Sequence, residues 1–181
     1  MRNPFLIGER LYLRPPDRED IDRFLGWQNH PELNEFLNRD LPLVRAREEE
    51  WLQKLGEKPD ELILVIALKD DDRAIGSIGL HGIGLPDRKA ELGIAIGEPD
   101  CWGRGFGREA IGLLVGHAFG RLGLHRVYLH VIARNERGRR CYEACGFRRE
   151  GVLREARFRD GKFHDLWIYG LLEAGDRARR G

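Results

Sequence analysis

The segment 91–110 constrains the fold of this 181-residue chain more than any other part of the sequence. It predicts a short apolar strand, a polar turn, glycines at every second position from Gly103 to Gly107, and then a helix. Because these glycines carry no side chains, the backbone amides of residues 104–108 stay uncovered at the positive end of the helix. The segment therefore predicts a binding site for a phosphate or pyrophosphate group.

Two familiar phosphate-binding loops fit this segment less well. A Walker loop requires a Lys-Ser or Lys-Thr pair after its last glycine, and none follows Gly107. The segment 105–110 matches the dinucleotide fingerprint G-x-G-x-x-A, but that motif belongs in a repeated βαβ unit with an acidic residue about 20 positions further on. The next predicted strand, 126–131, ends without a carboxylate. A dinucleotide-binding protein is therefore the less favoured alternative.

The composition is typical of a single domain, residues 1–181, with one core. The net charge of +1 argues against bulk nucleic-acid binding, and no apolar run approaches the ~20 residues that a membrane span needs. The N-terminal residues lack the apolar stretch of a signal peptide. Since Cys101, Cys141 and Cys145 form no paired framework, we expect a reducing, cytoplasmic location.

The order of periodic segments predicts a mixed α/β fold of the α+β class, with a mainly antiparallel sheet. The last hairpin is indicated by the turn 159–162, and Gly146 is expected to end a helix in the left-handed conformation. The predicted strands are 11–14, 62–68, 74–80, 90–96 and 127–131. The predicted helices run from 17 to about 29, from about 45 to 55, from 107, and from about 135 to 144.

Five motifs, taken in this order and spacing, resemble one family over nearly the whole chain. They are Leu11-Tyr-Leu-Arg-Pro, Trp27-Gln-Asn-His-Pro, Ile75-Gly-Ser-Ile-Gly-Leu, Trp102-Gly-Arg-Gly-Phe-Gly, and the stretch from Asn135 through Tyr142-Glu-Ala-Cys-Gly-Phe. Together they are similar to the GNAT superfamily of acyl-CoA-dependent N-acetyltransferases. The resemblance is closest to the branch of ribosomal-protein N-terminal acetyltransferases and spermidine acetyltransferases.

The resemblance implies a GNAT fold with about four helices and a central, splayed parallel pair formed by strands 90–96 and 127–131. Acetyl-CoA, the co-substrate, is then expected in the gap between the two strands. Residues 134–159 contain nine arginines and four glutamates, and this excess of positive charge would help to hold the phosphates of acetyl-CoA. The residues expected to bind it are Ile94, Ala95, Ile96, Trp102, Gly103, Arg104, Gly105, Phe106, Gly107, Arg108, Asn135 and Arg139. We expect no metal, because His117, His125, His130 and His164 show no ligand spacing with the cysteines.

Acetyl transfer by direct attack requires a neutral amine and a proton for the departing thiolate. Tyr142 stands at the position of the family's tyrosine, and a phenol is well matched to protonate a thiolate. Glu91 is the first candidate for the base and His81 the second. Two positions differ from the family pattern. Gly138 replaces the serine of many relatives, and Trp102 replaces the glutamine or arginine that is usual in the family.

The acceptor amine is left open between several alternatives. Making an α-amino group neutral at pH 7 costs only ~1.4 kcal/mol, against ~4.6 kcal/mol for a polyamine, so a protein N-terminus is the favoured acceptor. Spermidine or another small amine is the main alternative, and a non-catalytic acyl-CoA-binding module is the alternative from another class. We expect Trp27, Asn29 and His164 to contact the acceptor. The resemblance also implies that a homodimer can form.

Overall fold

The computed structural model describes residues 1–37, 41–84 and 86–180 and contains one eight-stranded sheet. Its strand order is β1-β2-β3-β4-β5-β6-β8-β7. The strands are β1 (Leu6–Ile7), β2 (Leu11–Arg14), β3 (Leu62–Leu68), β4 (Ala74–Gly84), β5 (Lys89–Ile96), β6 (Arg126–Ile132), β7 (Arg148–Arg159) and β8 (Lys162–Leu172). The helices are α1 (Ile21–Asn29), α2 (Pro31–Asn34), α3 (Arg45–Leu55), α4 (Phe106–Gly120), α5 (Glu136–Ala144) and α6 (Glu173–Arg180).

The mixed α/β fold with a mainly antiparallel sheet is confirmed, but the helix count is corrected from about four to six in the described residues. Helix α2 is a single turn that begins at Pro31, too short to show a periodic pattern. In α6 the one described buried side chain is the carboxylate Asp176, so no apolar stripe marks the helix. The antiparallel pairs also exclude the doubly wound parallel sheet that a dinucleotide-binding protein requires.

The sheet opens between its two parallel strands. β5 and β6 pair only from Lys89–Arg126 to Glu91–Tyr128 and then separate. Beyond this point β6 still pairs with β8, through Ile132, and β5 with β4, through Ile96. The backbone edges of β5 and β6 that face each other therefore form the two walls of a split in the sheet.

Helices cover both faces of the sheet. On one face α4 buries an apolar stripe at helical spacing, with Ala110, Ile111, Leu114 and Ala118 at 0% exposure. On the other face a smaller cluster joins α1 to the sheet, and a Cβ at Gly97 would lie 2.2 Å from the ring of Trp27. This contact requires glycine at the end of β5 and fixes α1 over the split strand.

A buried ion pair joins β2 to the first helical segment. The guanidinium of Arg14 donates two hydrogen bonds to the carboxylate of Asp20, at 2.7 and 2.6 Å, and both side chains are almost fully buried. The same carboxylate accepts a hydrogen bond from the backbone amide of Asp17 at 2.7 Å. Asp17 thus begins the helical segment as predicted, through a 3-10 turn, Arg18–Asp20, that precedes α1.

Candidate functional site

The split between β5 and β6 opens into a groove of about 1320 Å³. Its walls come from β5 and β6, from the N-terminal turn of α4, from α5, and from the helices α1 and α3 on the opposite face. The groove therefore passes through the sheet and connects the α4 face with the α1 face. Such a concave site, mixed in polarity, is the usual place for a small-molecule ligand.

The glycine loop enters α4 as the sequence predicted. Gly103 and Gly105 have positive φ values of 71° and 84°, and Gly105 is the N-cap of α4. These left-handed conformations turn the chain so that the free amides at the start of α4 lie at the groove. Gly107 and Arg108 line the groove in the first helical turn. The loop thus has the backbone geometry of an anion site at a helix N-terminus.

Arg10 and Glu109 hold this loop in place, and neither is among the residues that the sequence predicts for the site. Arg10 donates to the backbone oxygen of Arg104 and to Glu109 Oε2, both at 2.9 Å, and its guanidinium lies 4.7 Å from the ring centre of Phe106. Burial disfavours a charged Glu109, but hydrogen bonds from Arg10 outweigh it and lower the pKa of Glu109 below its ordinary value. The ionised carboxylate therefore fixes the start of α4 against β2.

We predict that Gly105→Ala weakens acetyl-CoA binding about tenfold or more, because an L-residue in the left-handed region costs ~1–2 kcal/mol and the loop must rearrange to avoid that cost. A Cβ at this position would also lie 3.2 Å from Arg10 Nη2. Titration calorimetry with acetyl-CoA measures the change. The matched control is Gly120→Ala in the same helix, where a Cβ meets nothing within 4 Å. Equal affinities for the two variants would contradict the role of the loop.

Trp102 and Arg137 contact each other across the groove, next to the glycine loop. The indole Nε1 of Trp102 donates to the backbone oxygen of Ile96 at 2.8 Å, so the residue that departs from the family pattern is tied to β5. The guanidinium of Arg137, on α5, lies 3.9 Å from the ring centre of Trp102. This cation–π contact joins α5 to the loop across the mouth of the groove.

Asn135 and Gly138 are mutually dependent at the start of α5. Asn135 is the N-cap, and its side-chain oxygen accepts from the amide of Gly138 at 2.9 Å. A Cβ at residue 138 would lie 2.8 Å from Asn135 Nδ2. Glycine at this position therefore leaves room for the capping side chain, which gives a local reason for the departure from serine.

Tyr142 lies on the α4 side of the split with a free hydroxyl. Its ring is packed at 6.2 Å from Phe147 and 6.5 Å from Tyr169, measured between ring centres. Its hydroxyl makes no hydrogen bond within the described part of the chain, and the side chain lines the groove. Burial raises the pKa of Tyr142 above its ordinary value, and the neighbouring Cys141 and Cys145 add to the effect. The phenol is therefore protonated at neutral pH and able to donate.

Glu91 and His130 meet on the opposite face of the sheet. Alternate residues of β5 point to opposite faces: the side chains of Ile94 and Ile96 lie near Gly107 of α4, whereas Glu91 points away from α4. Glu91 Oε1 lies 2.8 Å from His130 Nδ1, on β6. The sequence gives no sign of this contact, because the two residues lie 39 positions apart on different strands.

Most of the predicted site residues surround the groove, and four do not. Those that line it are Trp27, Glu91, Ile94, Ala95, Ile96, Trp102, Gly103, Gly105, Phe106, Gly107, Arg108, Asn135 and Tyr142. Arg104 lies over the ring of Phe106 and Arg139 over that of Trp167, outside the groove lining. The side chain of Asn29 bonds both backbone groups of Leu43, and His164 lies on the final hairpin, paired with Arg157 in register.

Two of the three free cysteines, Cys101 and Cys141, line the groove, and Cys141 does so from α5. A hydrogen bond with Cys145 lowers the pKa of Cys141 below its ordinary value, while burial opposes this effect. Among the described residues, no three His, Cys, Asp or Glu side chains are grouped to hold a metal ion. Within the same residues, no helix is both long enough and apolar enough to span a membrane.

The acetyltransferase (GNAT) domain family matches residues 10–148. The chain therefore belongs to the GNAT family of N-acetyltransferases. It is 39% identical to a spermidine N(1)-acetyltransferase of Vibrio cholerae over 100 residues, 55% of this chain and 57% of the relative. It is 36% identical over 103 residues to YdaF of Bacillus subtilis, whose name assigns it provisionally to the ribosomal N-acetyltransferases, covering 57% of this chain and 56% of YdaF.

A solved structure shares the fold over almost the whole chain. The crystal structure of spermidine N-acetyltransferase from Vibrio cholerae in complex with CoA and spermine superimposes with a TM-score of 0.86 at 28% sequence identity. The match covers 93% of this chain and 98% of that one. The family resemblance and the splayed-sheet fold that it implied are thus confirmed.

Proposed function

We propose that this protein transfers the acetyl group of acetyl-CoA to a primary amine of a polyamine or a similar small polycation. The observation that carries the proposal is the separation of charge along the groove. On the α4 and α5 side the lining has an excess of positive charge, with three arginines and one carboxylate: Arg108, Arg137, Arg140 and Glu136. On the other side it has an excess of negative charge, with four carboxylates and two cations: Glu35, Glu48, Glu61, Glu91, Lys58 and Arg157.

The cationic end fits the phosphates and pantetheine arm of acetyl-CoA. The loop amides at Gly105 and Gly107 would hold the pyrophosphate, and the unpaired edge of β5 would bind the pantetheine arm like an added strand. The bound co-substrate supplies the acetyl thioester. The backbone amide near Ala95 is placed to hold the acetyl oxygen, and Tyr142 is the proton donor for the sulfur. Asn135, the N-cap of α5, lines the groove at the same cationic end.

The acidic end fits a flexible aliphatic cation. Apolar and aromatic side chains form much of its wall, and the carboxylates are set between them. Methylene segments of a polyamine can pack on such a wall while its ammonium groups meet the carboxylates. The wall residues are Phe24, Trp27, Leu33, Phe36, Leu37 and Trp51. This arrangement, with the spermidine acetyltransferase relatives, supports the polyamine acceptor over the α-amine that the sequence favoured.

The experiment that tests the proposal is a competition between acceptors. Wild-type protein is given acetyl-CoA with equal amounts of spermidine, spermine, short peptides with free α-amines, and mono-amines, and the products are measured by mass spectrometry. We expect kcat/KM to be highest for the polyamines. Preference for the peptides would overturn the polyamine acceptor while leaving acetyl transfer intact.

We predict that Glu61→Gln raises KM for spermidine about tenfold, because a charged hydrogen bond contributes ~1.5 kcal/mol or more to binding. Glu61 lines the acidic end, where Oε2 accepts a hydrogen bond from Lys58 Nζ at 3.3 Å and Oε1 lies 4.0 Å from His81 Nδ1. Steady-state kinetics give the value, with KM for acetyl-CoA expected to be unchanged. Glu57→Gln is the control, because Glu57 is exposed and outside the groove lining. A similar rise in KM for both variants would indicate a general charge effect only.

A protein N-terminal α-amine is the second candidate acceptor, and the similarity to YdaF favours it. Part of an α-amine is already neutral at pH 7, and it carries at most one positive charge. A groove for an α-amine therefore requires fewer carboxylates than this one contains. The competition above distinguishes the two acceptors directly.

A further inference from the structure

A histidine–carboxylate pair lies at the point where β5 and β6 separate. Glu91 is the last residue of β5 in register with β6, opposite Tyr128, and His130 follows two positions along β6. Glu91 Oε1 lies 2.8 Å from His130 Nδ1, and both side chains line the acidic end of the groove. The pair therefore stands where an acceptor amine reaches the split in the sheet.

The contact leaves one ring nitrogen of His130 available. A carboxylate accepts a hydrogen bond, so its position favours the tautomer with the proton on Nδ1 and the lone pair on Nε2. Nε2 makes no hydrogen bond to any residue that the structure describes. An imidazole oriented in this way by a carboxylate is arranged as a general base.

The charged surroundings of the pair are compatible with this role. Two cations precede the pair on the same face, and each binds another carboxylate: Lys89 pairs with Asp87, and Arg126 pairs with Glu150. Neither one takes Glu91 from its contact with His130. The residue opposite His130 on β8 is the uncharged Ile168. The titratable and charged groups on the same face of the two strands are Tyr128, Arg126 and Lys89, and those of the groove lining beside the pair are His81, Lys58, Glu61 and Arg157.

We propose that His130 is the base that takes a proton from the acceptor ammonium group, with Glu91 as its positioning residue. Nε2 accepts one proton and passes it to solvent, and the neutral nitrogen forms its bond to the acetyl carbon as the carbon–sulfur bond breaks. The second proton of the nitrogen leaves to solvent. The thiolate takes the hydroxyl proton of Tyr142, which solvent then replaces.

A polyamine acceptor makes this base necessary. At pH 7 only about one polyamine nitrogen in 2,500 is neutral, against about one α-amine in ten. The inference rests on the acetyl transfer proposed above. It gives Glu91 a role through His130, instead of the direct base that the sequence predicted.

The test is a series of acceptors that differ in basicity but little in shape. Diamines with increasing fluorine substitution beside the reacting nitrogen provide it, ending with one that is neutral at the assay pH, and a peptide α-amine is added. For His130→Gln we expect kcat/KM to fall about a hundredfold with the most basic amine and less than about threefold with the neutral one. Glu91→Gln should follow the same trend with smaller losses. The Kd for acetyl-CoA should be unchanged in both variants.

His125→Gln is the matched control, because His125 is an exposed histidine just before β6 and outside the groove lining. An equal loss across the series in His130→Gln would indicate a structural role and overturn the inference. A selective loss in His81→Gln instead would assign the base to His81 and overturn it too. Wild-type transfer to the peptide alone would contradict the polyamine acceptor and with it the need for this base, while acetyl transfer itself would stand. No transfer from wild type to any amine would overturn both proposals.

Discussion

Tyr142→Phe is expected to lower kcat for acetyl transfer by about a hundredfold or more, the usual contribution of a positioned proton donor. The variant keeps the ring between Phe147 and Tyr169, so the fold and the groove should be preserved. Because burial raises the pKa of Tyr142, its proton is present at neutral pH and is lost only above the ordinary tyrosine value of about 10. Activity should therefore not fall through ionisation of Tyr142 below that pH. Pre-steady-state and steady-state kinetics with saturating acetyl-CoA measure the effect.

The control for this prediction is Tyr169→Phe. Tyr169 is the neighbouring tyrosine, and its hydroxyl donates to Glu143 Oε1 at 2.7 Å, outside the groove lining. Its loss should reduce stability by ~1 kcal/mol and leave kcat nearly unchanged. An equally small fall in kcat for Tyr142→Phe would contradict the acid role. A large rise in the Kd for acetyl-CoA would instead assign Tyr142 to binding.

Asp20→Asn is expected to lower the free energy of unfolding by ~3–5 kcal/mol, because it leaves the buried guanidinium of Arg14 without its counter-charge. The two side chains are only 4% and 6% exposed, so water cannot replace the lost carboxylate. Urea unfolding followed by circular dichroism measures the change. The slope of the transition should be the same as in wild type.

Asp22→Asn is the matched control two residues further on. Asp22 pairs with Arg45 on the surface, where both side chains are more than half exposed. An exposed pair of this kind contributes no more than ~1 kcal/mol. If the two variants were destabilised equally, burial would not explain the importance of the Arg14–Asp20 pair.

The parts of the fold that the sequence could predict are those written in a local pattern. The glycine loop, the helix that follows it from 107, and the hairpin turn at 159–162 each require particular residues at fixed spacing. The structure has all three. The parallel pair and its split were available only from the family resemblance, because no local pattern records which strands are neighbours.

The parts that could not be predicted depend on contacts between distant segments. Arg10 lies 99 positions from Glu109, and Glu91 lies 39 positions from His130, so neither pair has a sequence signature. Asn29 is the opposite case. It belongs to a family motif, yet its amide group bonds the backbone of Leu43 and lies outside the groove lining. A motif gives the position of a residue along the chain, and tertiary packing decides where its side chain lies.

The most direct test of the proposed function is the affinity of a conjugate in which CoA is joined through its acetyl group to an amine of spermidine. Because one molecule would fill both the cationic and the acidic ends of the groove, titration calorimetry should give a Kd at least about a hundredfold lower than that of CoA alone. The Glu61→Gln variant should lose part of this gain. A conjugate that binds no more tightly than CoA, or less tightly than its peptide counterpart, would contradict acetyl transfer to a polyamine in this groove.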